Sequence, residues 1–171
     1  MPRRVVCDVN VLVSAVGRRG ATPPLGDWPR VPPRTGNPWL DTVGILNSGR
    51  DFALVTSPHI LWNVADVLIN HYGWAVGMTK SYVALLLEMI SQTQGIYLDP
   101  TSQVADCAAD DEDNRILELA LDADADLVVT EDSHLLELSP WRGVPIMTAK
   151  DFAARADIAI RARARREGPP P

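Results

Sequence analysis

Aspartates in three distant segments have the residue type and spacing for metal-ion chemistry. Asp8 interrupts the apolar run RRVVCDVNVLVSAV, Asp113 opens the helical pattern DNRILELA, and Asp132 follows the strand-like segment DLVVT. Burying an unpaired carboxylate costs several kcal/mol, so each of these residues needs a compensating group. Oxygen ligands without cysteine or histidine favour Mg²⁺ or Mn²⁺ over zinc, and such ions support phosphodiester hydrolysis.

Spacing also predicts where these aspartates lie. As part of a strand, residues 3–16 would place Asp8 and Asn10 on one face, and the near-continuous apolar run indicates a strand buried in a parallel sheet. Asp113 precedes Ile116, Leu117 and Ala120 by helical spacing, which predicts the buried face of a helix. Because carboxyl ends of parallel strands meet at one sheet edge, we expect the three aspartates to converge there.

The surrounding pattern alternates strands and helices. We expect a helix at about 39–48, a strand at 52–56, and a helix starting at Pro58 with Ser57 as its N-cap. Further helices are expected at 79–93 with Thr79 as a cap, 112–122, 133–138 and from about 149, and strands at 95–100, 126–130 and 144–148. This alternation predicts an α/β fold with a central parallel sheet between helices.

One domain, residues 1–153, is expected, followed by an arginine-rich helix end and proline tail at 154–171. We expect residues 17–38 to form a Pro/Gly-rich loop, whose arginines are candidate RNA contacts: Arg18, Arg19, Arg30 and Arg34. The net charge of −6 disfavours a nucleic-acid partner, but the charge is unevenly distributed. Residues 1–50 carry seven arginines against three acids, whereas residues 106–137 carry twelve acids against one arginine.

Several other classes of protein are disfavoured. No apolar run approaches the length of a membrane span, so no membrane partner is expected. The polar residues Asp8 and Asn10 argue against a secretory signal, which favours a cytoplasmic location. Cys7 and Cys107 lack paired spacing, and the three histidines form no ligand cluster, so the sequence does not predict a zinc enzyme.

These segments together resemble PIN-domain proteins, and among them the VapC-like toxin components. VVCDVNVLVSA is similar to the opening motif, LVTSPHILWNVADVL to the strand, Ser-Pro and helix segment, and DDEDNRILELALDADADLVVTEDSHLLEL to the acidic helix, strand and T-x-D-x-x-L-L run. VPIMTAKDF resembles the closing strand and helix. The resemblance implies a three-layer α/β/α fold, Mg²⁺- or Mn²⁺-dependent endoribonuclease activity, a cognate antitoxin protein and a homodimer.

The resemblance also assigns positions. Asp8, Asp113 and Asp132 match the catalytic and metal-binding acids, and Asp110 matches an additional acid before the third motif. Asn10 and Thr130 match polar support positions, where we expect them to orient carboxylates. Ser57 is expected to support the fold as a helix cap.

Asn63 departs from the pattern, because the family carries a glutamate at the matching catalytic position. Asp66 lies about 60° farther around the helix and is poorly aimed to replace it. We therefore expect one divalent ion to bind well, a second to bind weakly, and turnover to be reduced; an Asn63→Glu variant with unchanged metal affinity and cleavage rate would contradict this.

The sequence leaves two alternatives to a ribonuclease toxin. The first is a PIN-fold protein with weak or lost nuclease activity that acts as an RNA- or protein-binding module. The second is a phosphoacceptor receiver domain, which Thr130 and Lys150 superficially suit. It fits poorly because the acids concentrate in a helix rather than after the first and a central strand.

Overall fold

A parallel sheet forms the centre of the computed structural model, which describes residues 1–17, 34–107 and 110–167. Its strands are β1 (Arg3–Cys7), β2 (Phe52–Thr56), β3 (Ile96–Tyr97), β4 (Leu127–Val129) and β5 (Ile146–Met147). All neighbouring pairs are parallel, and the spatial order is β3-β2-β1-β4-β5.

Helices of the described residues cover the sheet. They are α1 (Val9–Val16), α2 (Pro38–Ser48), α3 (Pro58–Asn70), α4 (Val76–Gln92), α5 (Asp111–Asp122), α6 (Ser133–Glu137) and α7 (Ala149–Glu167). The predicted three-layer α/β/α fold with a central parallel sheet is confirmed. Among the described helices, none has the combination of length and apolar composition needed to cross a membrane.

The central strand β1 explains why the acids can gather. Val5 and Val6 are fully buried, and Val5 is in register with Leu54 of β2 on one side and Leu127 of β4 on the other. The chain therefore builds the sheet outward in both directions from β1. In such sheets the crevice at the carboxyl ends lies where the strand order reverses, which here is between β1 and β4.

The extended strand predicted for residues 3–16 is wrong beyond Cys7. The strand ends there, Asp8 is an N-cap, and Val9–Val16 is a helix with Val11, Leu12 and Val16 buried. Valine-rich segments favour strands locally, but burial of an apolar face in tertiary packing overrides that propensity. Asp8 and Asn10 still meet, because Asn10 lies in the first turn of the helix that Asp8 caps.

Smaller differences occur at other boundaries. The strand 52–56 and the Ser57 cap are confirmed, whereas β3 and β5 are shorter than predicted. The cap prediction for Thr79 is wrong: α4 begins at Val76, and the Thr79 hydroxyl donates within the helix to the Ala75 carbonyl at 3.3 Å. Helix α7 begins where predicted and continues through the arginine-rich segment to Glu167.

Candidate metal centre

Asp8 is held in one orientation by hydrogen bonds to both carboxylate oxygens. Its Oδ1 accepts from the Val9 backbone N–H at 2.6 Å. Its Oδ2 accepts from the Thr130 hydroxyl at 2.6 Å and from the Asn10 amide at 2.7 Å. The side chain is only 9% exposed, so these donors offset part of the cost of burying its charge.

Thr130 and Asn10 connect this aspartate to the segment after β4. The buried Thr130 hydroxyl, besides donating to Asp8, accepts from the Asp132 backbone N–H at 2.9 Å. The side-chain Oδ1 of Asn10 accepts from the Glu131 backbone N–H at 3.2 Å. Both predicted support residues therefore link Asp8 to the turn that carries Asp132.

Asp113 enters the same region from the first turn of α5, where it is 7% exposed. The Cys107 thiol donates to its Oδ2 at 3.4 Å. The neighbouring Asn114 holds the Cys107 backbone next to the first turn of α5. Its Oδ1 accepts from the Cys107 backbone N–H, and its amide nitrogen donates to the Cys107 carbonyl, both at 2.9 Å. The inward orientation predicted from helical spacing is confirmed.

Asp132 and His134 form a possible ligand group with Asp113, and Asp8 lies beside this group rather than within it. Asp132 is the N-cap of α6 and accepts from the His134 backbone N–H at 2.8 Å. The Nδ1 of His134 lies 3.4 Å from Asp132 Oδ1 and 3.8 Å from Asp113 Oδ2. Ligand atoms of Asp113, Asp132 and His134 all lie within 4.8 Å of one another.

The sequence does not reveal His134 as a ligand candidate, because its spacing to His59 and His71 fits no metal-binding motif. The available signal was weak: a histidine two residues after an aspartate that caps a short helix. Its proximity to Asp113 depends on how α5 and α6 are placed relative to each other, which residue spacing does not determine.

The raised pKa values of Asp8 and Asp113 fit a bound cation beside these carboxylates. Burial is the main cause that raises the pKa of Asp8, and the charges of Asp113 and Asp132 raise it further, while the Thr130 and Val9 hydrogen bonds oppose the shift. Burial likewise raises the pKa of Asp113, with contributions from Asp132 and Asp110. A divalent ion bound to these carboxylates would remove the like-charge conflict, and their oxygens suit Mg²⁺ or Mn²⁺.

A cleft with two adjoining sections surrounds these residues, and we call it the carboxylate cleft. One section, of about 520 Å³, is lined by Asp132, Asn10, His71 and Tyr72 together with Asp8 and Asp113. The other, of about 330 Å³, is lined by the same two aspartates together with Asn63, His59 and Glu112. Asn63 thus lies in the cleft, whereas Asp66 lines neither section and instead accepts from the Asn70 amide at 2.7 Å.

The other predicted site residues lie around this centre. Asp110 is the exposed N-cap of α5, accepts from the Glu112 backbone N–H at 2.9 Å, and lines neither section of the cleft. Ser57 caps α3, because its hydroxyl oxygen accepts from the Ile60 backbone N–H at 3.2 Å.

Arg34 is placed apart from the carboxylate cleft. It forms an ion pair with Asp157 of α7 and lines a separate groove between α2 and α7 with Lys150. The other three predicted RNA contacts, Arg18, Arg19 and Arg30, lie outside the described residues.

Comparison with known families identifies a PIN domain. The model of the PIN domain family matches residues 4–134, which is most of the chain and includes Asp8, Asn63, Asp113 and Asp132. No curated protein matches the sequence.

Proposed function

Since the chain belongs to the PIN-domain family, we propose that it is a Mg²⁺- or Mn²⁺-dependent endoribonuclease and the cytoplasmic toxin of a type II toxin–antitoxin system. PIN domains are generally metal-dependent nucleases, so the coarser nuclease assignment follows from the family. The observation that carries the proposal is the convergence of Asp8, Asp113 and Asp132, from three distant segments, on one cleft.

Each residue has a distinct task in this proposal. Asp8, Asp113 and Asp132 hold the ion, and His134 offers an additional nitrogen donor. Thr130 and Asn10 keep the Asp8 carboxylate oriented, so little rearrangement is needed on binding. A bound divalent ion would lower the pKa of an attacking water and stabilise the leaving oxygen. Asp110, outside the cleft, remains a predicted further ligand.

RNA as the substrate is supported by the walls of the cleft. His71 and Tyr72 line the section that contains Asp132, with ring centroids 4.9 Å apart, and aromatic rings are the side chains on which unpaired bases stack. The carboxylates themselves repel phosphates, so we expect productive RNA binding to require the ion. Arg18, Arg19 and Arg30 remain predicted phosphate contacts, whereas Arg34 is paired with Asp157 away from the cleft.

A second function is favoured by one specific residue. Asn63, a neutral amide, lines the cleft where the family pattern has a glutamate. With less negative charge the cleft would hold a second ion less tightly, and the protein would then act mainly by binding RNA or a partner protein.

Two protein partners belong to the proposal. The antitoxin is expected from the toxin assignment alone. A second copy of the chain is expected to pack on the exposed apolar face of α3 and α4, where Trp62 is 66% exposed.

The ribonuclease proposal is tested by incubating the protein with single-stranded RNA and Mn²⁺. We expect cleavage that falls by more than about 100-fold in Asp8→Ala, because loss of a ligand should exceed the effect of losing a supporting residue. Asp66→Ala is the matched control, because Asp66 is an acid outside the cleft, and it should retain activity.

Expression in a bacterial host extends this test to the toxin role. Growth should arrest with the wild-type chain and not with Asp8→Ala. RNA binding without cleavage by the wild-type protein would instead support the binding-module alternative, and cleavage by Asp8→Ala at the wild-type rate would refute the assigned site.

A further inference from the structure

Three side chains from α3 and α5 form a polar group inside the carboxylate cleft. Glu112 Oε2 lies 2.6 Å from His59 Nε2 and 3.2 Å from the Asn63 amide nitrogen. The Asn63 nitrogen also lies 3.0 Å from His59 Nε2. All three residues line the same section of the cleft as Asp8 and Asp113.

The directions of these hydrogen bonds follow from the donors available. Glu112 Oε2 is an acceptor when ionised, so the His59 ring nitrogen that contacts it must carry the proton. That nitrogen then cannot accept from Asn63, and the amide N–H groups of Asn63 have Glu112 Oε2 as their acceptor. Two donors therefore meet one oxygen of Glu112 and orient its carboxylate, while Oε1 remains the oxygen available to an ion or its water.

We propose that Glu112, oriented by His59 and Asn63, supplies a fourth negative charge to the carboxylate cleft. Asn63 is neutral and does not provide this charge itself. This inference rests on the proposed metal-dependent function. The carboxylate comes from the first turn of α5 instead of from α3, and it reaches the same section of the cleft. Asn63 then acts as a positioning residue that donates to the acid.

Three other acids on or next to these two helices accept hydrogen bonds outside this section of the cleft. Asp66 accepts from Asn70, and Asp110 accepts from the backbone at the start of α5. Glu118 accepts from the Val104 backbone N–H at 3.1 Å. Among the described residues of α3 and α5, only Asp113 and Glu112 offer carboxylates that line this section of the cleft.

Binding of Mn²⁺ to the full chain, measured by calorimetry, tests this role. Glu112→Gln keeps the size of the side chain and removes its charge, and the side chain is 62% exposed, so folding should be preserved. We expect its Mn²⁺ affinity to fall by about tenfold, within the range found for residues that support metal ligands. Asp111→Asn is the matched control, because it removes one exposed acid from the same helical turn without touching the cleft, and it should change affinity by less than about twofold.

Moving the carboxylate back to α3 gives a second, independent readout. The double variant Asn63→Glu with Glu112→Gln should recover the Mn²⁺ affinity that Glu112→Gln alone loses. Asn63→Glu alone places two acids side by side, so its effect should differ from the effect of the same substitution in the Glu112→Gln background. Additive effects across this cycle would show that the two positions do not share one role.

The outcomes separate this inference from the proposed function. If the wild-type protein binds Mn²⁺ and cleaves RNA, but Glu112→Gln behaves like Asp111→Asn, the role of Glu112 is refuted and the nuclease remains. If Glu112→Gln weakens Mn²⁺ binding in a protein that cleaves no RNA, the role of Glu112 stands and the nuclease is refuted. A wild-type chain that takes up no Mn²⁺ overturns both.

Discussion

Asp113 shows at the scale of a single residue how stability and function oppose each other in this site. It is buried and faces the charges of Asp132 and Asp110, which the thiol hydrogen bond from Cys107 and the nearby His134 ring offset only in part. A carboxylate kept in such surroundings stabilises the fold less than a neutral side chain of the same shape would. Under the proposed function, a metal ion held by this carboxylate would explain its presence.

Replacing Asp113 with asparagine should therefore stabilise the metal-free protein, by about 1 kcal/mol in the free energy of unfolding. The same variant should lose the stabilisation that Mn²⁺ gives to the wild-type protein. Urea unfolding with and without Mn²⁺ measures both effects. A variant that is less stable than the wild type without metal would contradict the electrostatic account of this residue.

The advantage of Asp113→Asn should depend on pH. Because the pKa of Asp113 is raised in the native state, the native protein binds this proton more tightly than the unfolded chain does. The contribution of Asp113 to the free energy of unfolding of the wild-type protein therefore falls as pH rises from about 4 through the raised pKa. The difference in free energy of unfolding between Asp113→Asn and the wild type should accordingly grow from about pH 4 to pH 7. Equal differences at both pH values would rule out this cause.

Residue spacing was sufficient to predict part of the site. Asp113 was expected on a buried helical face, and Asp8 and Asp132 at the carboxyl ends of strands, because each prediction needs only local periodicity and the rules of parallel sheets. The positions of His134 and Glu112 could not be predicted in this way. Their contacts depend on the packing of α6 and α3 against α5, which joins residues far apart in the sequence.

At the scale of elements, local signals decided which predictions held. The Ser-Pro pair fixes the junction of β2 and α3, because serine caps a helix and proline suits its first position. The junction of β1 and α1 has no equally clear signal, because Val9–Val16 is as valine-rich as the strand before it. Asp8 is a capping residue there as well as a candidate ligand, so its role as a cap does not stand out in the sequence.

The α3–α4 face carries the prediction for the second copy of the chain. Trp62, Val76, Leu87 and Tyr97 are exposed there around an apolar groove. Trp62→Arg should shift the protein toward monomer in analytical ultracentrifugation, because a charge in an apolar interface is costly to bury. Mn²⁺ affinity should stay unchanged. A wild-type protein that is monomeric at high concentration would refute the dimer and leave this face to an antitoxin.

At the scale of the whole molecule, the strand order brings distant segments together. The chain starts at the central strand β1, and later strands add on both sides of it, so residues 8, 113 and 132 reach one crevice although more than a hundred residues separate the first from the others. From the acidic block at 106–137, Glu112, Asp113 and Asp132 line this cleft together with Asp8. Its charge would repel RNA without a cation, which makes metal uptake the central claim.

A crystal of the full chain soaked in Mn²⁺ and measured at the manganese absorption edge tests that claim most directly. We predict an anomalous peak within about 2.5 Å of oxygens from Asp8, Asp113 and Asp132. A map with no peak in the carboxylate cleft at millimolar Mn²⁺, or with manganese bound only elsewhere on the protein, would contradict the account.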